Sequence, residues 1–269
     1  MLLYSPPGVL PAWHCEEPGR PRELIKDMIK NLLETNQNIN VLELRNYLLK
    51  PNRADEFRIY FNNHFVKPMA ELGGYTLGQF KINGVNDRFV WMRGFTDMGT
   101  RIKFLNDFYM NSPTWKEFGP GANDMMINSD NVYLLRPLNI NNSSKEQSKG
   151  INSNALKTDK GIVVVDFYIC NSTLDKVINL FNSSYVPFLK TLDIHNITLW
   201  VSEMSENDFP RLPVFQDKNL LLTVTTYKDE NEYKIKQKQI NSMTTELKNS
   251  ILKLITTQSN LILCPIRKH

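Results

Sequence analysis

A period-two stretch decides the fold of this chain: Val41-Leu42-Glu43-Leu44-Arg45-Asn46-Tyr47-Leu48-Leu49. Alternation of this kind is the repeat of a β-strand, in which successive side chains point to opposite faces. Glu43, Arg45 and Tyr47 share one face, and leucines occupy the other. The stretch therefore predicts a strand with one polar and one apolar face, which Pro51-Asn52 ends.

The patterns that follow this strand predict a β-α-β-β-α-β order. Aromatic and aliphatic residues at helical spacing predict a helix that Gly73-Gly74 ends. Two strands, over 75–82 and 88–95, are joined by a turn rich in Asn, Asp and Gly and predict a hairpin. A second helix begins near Thr96-Asp97, and a last strand spans 131–138.

The same order of elements returns in the second half of the chain. Residues 139–160 are mostly Asn, Ser and Lys, so they predict a linker. Strands then follow at 162–170, 197–203, 220–227 and 261–266, with helices at 174–192 and 233–255. The predicted organisation is an extension over 1–40, a first unit over 41–138, the linker over 139–160 and a second unit over 161–269.

A four-stranded sheet with both helices on one face leaves its other face bare. Two such sheets stacked face to face cover each other, which explains why one chain carries two copies. We therefore predict an α+β fold in which two fused ferredoxin-like βαββαβ units form an intramolecular α+β barrel. An amphipathic helix over 21–34 precedes them, and it either packs as an accessory element or binds a partner protein.

Composition limits the function classes. The 269 residues are 41% hydrophobic and carry a net charge of +4, without the basic stripe that tracks a nucleic acid backbone. The three cysteines are far apart, and no His or Cys spacing is typical of a metal site. We find no signal peptide and no stretch that could span a bilayer. The expectation is a cytoplasmic protein with no nucleic acid, membrane or metal partner.

The first unit resembles the NIPSNAP family through several motifs. They are Glu43-Leu44-Arg45-Asn46-Tyr47, Gly78-Gln79-Phe80, Asp87-Arg88-Phe89-Val90-Trp91-Met92-Arg93-Gly94-Phe95, Phe108-Tyr109, Trp115 and Ser129-Asp130-Asn131-Val132-Tyr133-Leu134-Leu135-Arg136-Pro137. The second unit resembles the family only in its order of elements. The resemblance implies a dimeric α+β barrel fold with a pocket, in a superfamily that includes cofactor-free monooxygenases and small isomerases. It does not imply one activity.

Strand alternation predicts that Arg45, Arg93 and Arg136 converge on one face of the first sheet. Since the opposite face is apolar, we expect the arginine face to be the barrel interior or its mouth. A buried guanidinium needs a partner, so either Glu43 neutralises these arginines or an anionic ligand does. Both alternatives stay open.

A comparison of the two halves predicts one site per chain. If Tyr168 corresponds to Tyr47, then Asp166 takes the place of Arg45, and Thr225 and Cys264 fall near Arg93 and Arg136. Thr223 similarly falls near Trp91. The second copy would then act as lid and sheet partner, with Asp166 as a further candidate counter-charge for the arginines.

The remaining candidates for the site lie on the helices. His64 is placed to approach the sheet and is either a general base or a hydrogen-bonded core residue. Tyr109, Trp115 and Asn123 lie in the family-like stretch and either line an aromatic pocket or belong to the core. The catalytic candidates are thus His64 and Arg93, and the candidates for substrate binding are Arg45, Tyr47, Trp91, Tyr109, Trp115, Asn123 and Arg136.

These residues favour a small-molecule pocket protein. The resemblance implies a cofactor-independent monooxygenase or isomerase, and the arginines and aromatics suggest an aromatic or apolar substrate with an anionic group. The rival hypothesis is a non-catalytic interaction module that docks onto a protein partner through its N-terminal helix. Fusion of the two units removes the need for a homodimer without forbidding one.

Overall fold

Two units of identical strand order close into one barrel. The computed structural model describes residues 38–138, 151–152 and 161–266. The predicted N-terminal helix and most of the predicted linker lie outside these residues. The strands are β1 Asn38–Ile39, β2 Val41–Leu49, β3 Tyr75–Ile82, β4 Arg88–Phe95, β5 Met126–Asn128, β6 Val132–Leu138, β7 Ile151–Asn152, β8 Ile162–Cys170, β9 Ile197–Ser202, β10 Leu220–Tyr227 and β11 Ile255–Pro265.

The described helices pack outside these strands. They are α1 Ala54–His64, α2 Val66–Glu71, α3 Met98–Leu105, α4 Pro113–Met125, α5 Leu174–Leu180, α6 Val186–Thr191, α7 Glu230–Asn241 and α8 Thr245–Leu254. Short π-helical segments, Asn106–Asn111 and Phe181–Tyr185, follow α3 and α5. Asp97 and Asp229 cap α3 and α7 in the same way, because each carboxylate accepts a hydrogen bond from the backbone N–H three residues later. None of the described helices has the length and apolar content needed to cross a membrane.

The strand order shows how the barrel closes. The first unit runs β6-β2-β4-β3 and the second runs β11-β8-β10-β9, which is the same ferredoxin-like order. Antiparallel pairing of β3 with β11 and of β6 with β9 joins the two sheets. The predicted fold class is confirmed. Outside the barrel, β1 pairs with β7, so part of the predicted linker is a short strand.

The barrel interior is apolar and receives side chains from all eight strands. Its buried residues are Ile39, Leu42, Leu44, Leu77, Phe80, Val90, Met92, Leu135, Val163, Val165, Phe167, Trp200, Leu220, Leu222, Val224 and Leu263. The expectation that the arginine face points into the barrel is wrong. Leucine faces can cover each other without partners, whereas guanidinium groups need acceptors, and these lie on the helix side.

Both helices predicted in the second unit differ from those observed. The predicted helix over 233–255 is broken, since α7 ends at Asn241 and α8 begins at Thr245. The hydroxyl of Ser242 donates to the carbonyl of Gln239, and the hydroxyl of Thr244 accepts from the N–H of Leu247. Such local bonds offer the backbone an alternative to the helix. The helix predicted over 174–192 is continuous but includes the second π-helical segment.

The shared interior predicts a common unfolding transition for both units. Trp200 is fully buried among residues of both sheets, so Trp200→Ala should lower the free energy of unfolding by about 3–5 kcal/mol in one cooperative step. Urea denaturation followed by circular dichroism measures this. Ile127→Ala, at a residue that is 59% exposed, is the control and should change little. Separate transitions for the two units would contradict a shared core.

Candidate functional site

Each unit has a space between its sheet and its helices, and strand register shows that the two spaces correspond. Arg45 pairs with Trp91 as Asp166 pairs with Thr223. Glu43 pairs with Arg93 as Val164 pairs with Thr225. The predicted correspondence between the halves agrees with this register. Side chains at these positions decide what each space contains.

In the first unit this space contains a cluster of three arginines around one carboxylate. Glu43 Oε2 accepts hydrogen bonds from Arg45 Nη1 at 2.8 Å and from Arg93 Nε at 2.8 Å. Glu43 Oε1 accepts from Arg101 Nε at 2.8 Å. All four side chains are at most 1% exposed. We call Glu43, Arg45, Arg93 and Arg101 the arginine cluster.

Charge and aromatic rings stabilise this cluster together. Burial disfavours the ionised form of Glu43, but Arg93, Arg45 and Arg101 outweigh it and hold the pKa of that carboxyl well below its usual range. The guanidinium carbons of Arg45 and Arg93 lie 5.6 and 5.2 Å from the Trp91 ring centre. Two phenol oxygens accept further hydrogen bonds, that of Tyr47 from Arg45 and that of Tyr109 from Arg93.

A loop of the second unit covers the cluster. It spans residues 203–219 between β9 and β10. Asn207 Oδ1 and Asp208 Oδ1 lie 3.2 and 3.5 Å from Arg101 Nη1. Phe209 is buried among the apolar residues of the first unit, 6.3 Å from the Tyr109 ring. The second unit thus contributes to the space in the first.

The structure separates the predicted site residues into two groups. Five of them come together: Arg45, Tyr47, Trp91, Arg93 and Tyr109. Trp115 packs edge-on against Tyr109 at 4.7 Å and so extends this group. The predicted convergence of Arg136 is wrong, because its side chain is exposed near the end of β6. Asn123 is also exposed, so it does not line a buried pocket.

His64 lies at the end of α1, away from the charged groups. Its ring stacks on Phe118 at 3.9 Å and lies 4.5 Å from Tyr60. No hydrogen bond or ion pair joins it to Arg93 within the described residues. These contacts agree with the alternative of a packed histidine on the helix face.

Sequence reasoning missed Arg101 and the covering loop. Arg101 lies on the buried side of α3 between the predicted apolar positions Met98 and Leu105, and its helical spacing was the available signal. Asn207 and Asp208 are more than a hundred residues away from Arg101, and no local pattern connects them.

Removing the shared carboxylate should destabilise the protein strongly. Glu43→Gln leaves three buried guanidinium groups without their common counter-charge, so we expect the free energy of unfolding at pH 7 to fall by about 3–5 kcal/mol. Glu56→Gln is the control, since Glu56 is 57% exposed in its pair with Arg53, and it should cost less than about 1 kcal/mol. Equal urea midpoints for both variants would show that the carboxylate does not hold the cluster.

The corresponding space in the second unit is a cavity of about 200 Å³. Asp166, Thr223 and Thr225 stand where Arg45, Trp91 and Arg93 stand in the first unit, and their smaller side chains leave this room. Aromatic rings form much of the wall: Tyr168, Phe181, Tyr185 and Tyr227. Exposed polar residues line the rim, including Asn241, Lys248, Gln258 and Asn260. We call this space the second-unit cavity.

Asp166 is the ionisable group on the floor of this cavity. Burial raises the pKa of its carboxyl to about 6, although hydrogen bonds from Thr223 and Asn260 favour the ionised form. The Thr223 hydroxyl donates to Asp166 Oδ2 at 3.4 Å. The suggestion that Asp166 neutralises the arginines is wrong, because its carboxylate lines the second-unit cavity and forms no ion pair with an arginine among the described residues. Beside it, Tyr168 and Tyr185 are hydrogen-bonded, and burial raises the pKa of both phenols.

This carboxyl predicts a pH-dependent stability difference. A raised pKa means that the contribution of Asp166 to stability is full below its unfolded pKa near 4 and is lost as pH rises through 6. Relative to Asp166→Asn, the wild type should therefore lose about 2–3 kcal/mol between pH 4 and pH 8. Urea unfolding across this range measures the difference. Asp193→Asn, at a side chain that is 87% exposed, is the control. An unchanged difference across the range would contradict the raised pKa.

The fold and its two corresponding spaces are those of a dimeric α+β barrel, but here one chain supplies both halves of the barrel. No family model matches the sequence, and no curated protein matches it. A proposed monooxygenase from Lactobacillus acidophilus is 12% identical, covers 84% of this chain and 94% of its own, and has a TM-score of 0.52. A proposed monooxygenase from Fusobacterium nucleatum is 10% identical over 86% of this chain and 94% of its own, with a TM-score of 0.54. These two structures share the barrel along nearly their full length.

Smaller proteins are similar to part of the chain. A NIPSNAP family protein from Agrobacterium tumefaciens is 18% identical, covers 39% of this chain and 91% of its own, and has a TM-score of 0.33. A further structure, that of an anthrone oxidase-like protein, is similar to most of the chain. It is 7% identical over 86% of this chain and 93% of its own, with a TM-score of 0.53. The fold assignment rests on the full-length similarities.

Proposed function

We propose that this protein binds a small aromatic or apolar metabolite in the second-unit cavity and that Asp166 accepts a proton from it. The observation that carries the proposal is a carboxyl with a pKa of about 6 on the floor of a cavity walled by aromatic rings. A general base works best when its pKa lies near the operating pH. Perturbed carboxyls in cavities are candidates for this role.

The charge of the cavity floor favours a neutral substrate. An anionic group on the floor would be repelled by the Asp166 carboxylate, since the cation Lys248 is exposed at the rim and the arginines expected to hold such a group lie in the first unit. The aromatic wall offers edge-on and stacked contacts to a ring system. The substrate class we propose is therefore a neutral aromatic compound with an acidic C–H or O–H bond.

The proposed step is transfer of that proton to Asp166, which leaves a carbanion or phenolate on the bound molecule. Return of the proton to another carbon completes an isomerisation. Reaction of the anion with O₂ as the oxidant would begin an oxygenation. Similar structures described as a proposed monooxygenase and as anthrone oxidase-like support the second outcome as a reaction class. Residues of this chain supply binding and proton transfer in both.

Proton exchange tests the shared step. Anthrone, a neutral tricyclic ketone with an acidic CH₂ group, is the probe, and its exchange in D₂O is followed by NMR under anaerobic conditions. We expect the wild type to accelerate exchange with a rise in rate near pH 6, and Asp166→Asn to lower it by about 10²–10⁴-fold.

A control variant and a separate binding measurement accompany this test. Asp193→Asn should exchange the probe as the wild type does, since its carboxylate is solvent-exposed and outside the cavity. Thermal shift with the same probe measures binding separately, because a ligand that binds only the native state raises its stability. Binding together with equal exchange rates for the wild type and Asp166→Asn would refute the role of Asp166 as base.

A further inference from the structure

The charges of the arginine cluster do not balance. Three guanidinium groups surround Glu43, which is the cluster's fully buried carboxylate. Asp208 supplies a second negative charge, but its side chain is 41% exposed. Three positive charges and two negative charges leave a surplus of one positive charge among these described residues. Buried charge without compensation is costly, so this surplus favours a further anion.

Two buried donors in this region also have no hydrogen-bond partner within the part of the chain that the structure describes. They are Arg101 Nη2 and Trp91 Nε1, on side chains that are at most 1% exposed. An unsatisfied buried donor destabilises the folded state, and the penalty is larger when the donor is charged. Arg101 therefore has an incomplete set of acceptors although its Nε is well bonded to Glu43.

The contact between Arg101 and Asp208 is weak. Arg101 Nη1 lies 3.5 Å from Asp208 Oδ1, whereas Arg101 Nε lies 2.8 Å from Glu43 Oε1. Asp208 belongs to the covering loop, and its side chain, unlike that of Arg101, is partly exposed to solvent. A loosely bound carboxylate in this position can be replaced by a better acceptor.

We propose that the first unit binds a small dianionic oxyanion such as phosphate or sulfate at Arg101, where it takes the place of the Asp208 carboxylate and its second negative charge offsets the surplus. A guanidinium group offers parallel donors to two oxygens of a carboxylate, phosphate or sulfate. Nη2 of Arg101 and the Nη1 hydrogen that now reaches Asp208 form this pair, because Nε is occupied by Glu43 and Nη1 also donates to Asn207 Oδ1 at 3.2 Å. Arg45 and Arg93 stay bound to Glu43 and supply the surrounding positive charge. This site is separate from the second-unit cavity.

Calorimetric titration tests the proposal with three probes, inorganic phosphate, sulfate and benzoate, at constant ionic strength set with sodium chloride. We expect saturable binding of phosphate or sulfate to the wild type. Asp208→Asn removes the competing carboxylate and should tighten binding about tenfold. Arg101→Lys keeps the charge beside Glu43 but lacks the paired donors, so it should weaken binding by about tenfold or more. The three probes distinguish inorganic oxyanions from an organic carboxylate.

Matched controls locate the binding. Arg136→Gln removes an exposed arginine of the same unit and should leave the affinity unchanged. Asp193→Asn should also leave it unchanged, because that carboxylate is exposed and pairs with His195, away from the cluster. If Arg101→Lys does not fold, the oxyanion affinity of Asp208→Asn, compared with that of the wild type, still tests the proposal. The proposal is overturned when neither the wild type nor Asp208→Asn binds phosphate or sulfate, or when Asp208→Asn and Arg136→Gln both bind as the wild type does.

Discussion

Each four-stranded sheet in this protein has two faces to bury, and its helices can cover only one of them. The leucine, valine and phenylalanine faces of the two sheets therefore meet in the barrel interior, where no polar partner is needed. Strand pairing at both junctions closes the barrel, so that none of its eight strands is left as an open edge. This constraint fixes which face of every strand is left for the helices. All the chemistry discussed above lies on that outer side.

The two outer spaces correspond position by position, but one is filled by side chains and the other is open. The first is filled by long side chains whose charges meet at Glu43. The second has Thr223 and Thr225 in place of Trp91 and Arg93, so its floor is open. In a packed interior, replacing large side chains by small ones leaves volume. Different side chains at a few corresponding strand positions are therefore enough to distinguish a filled, charged space from a cavity.

Periodicity and turn residues predicted the strands, the hairpin and the order of the helices, because these depend on local patterns. Alternation also predicted that Glu43, Arg45 and Tyr47 share a face. It could not tell which side of the sheet that face would occupy, since this depends on which surfaces meet in three dimensions. Arg101 and Asp208 come together only through tertiary contacts between distant segments. Arginine and tryptophan residues in the sequence indicate a candidate site in the first unit. A cavity results from small residues, which give no such signal.

A cavity in one unit and a charged cluster in the other impose different demands on the fold. The buried ion pairs of the cluster need fixed geometry, because small displacements expose charges to an apolar surrounding. A ligand cavity needs an entrance, and here the break between α7 and α8 leaves polar residues at its rim. Loop 203–219 starts from the second unit and covers the first. The second unit therefore has a part in closing the charged space of the first, while β10, which follows this loop, carries Thr223 and Thr225 into the second-unit cavity.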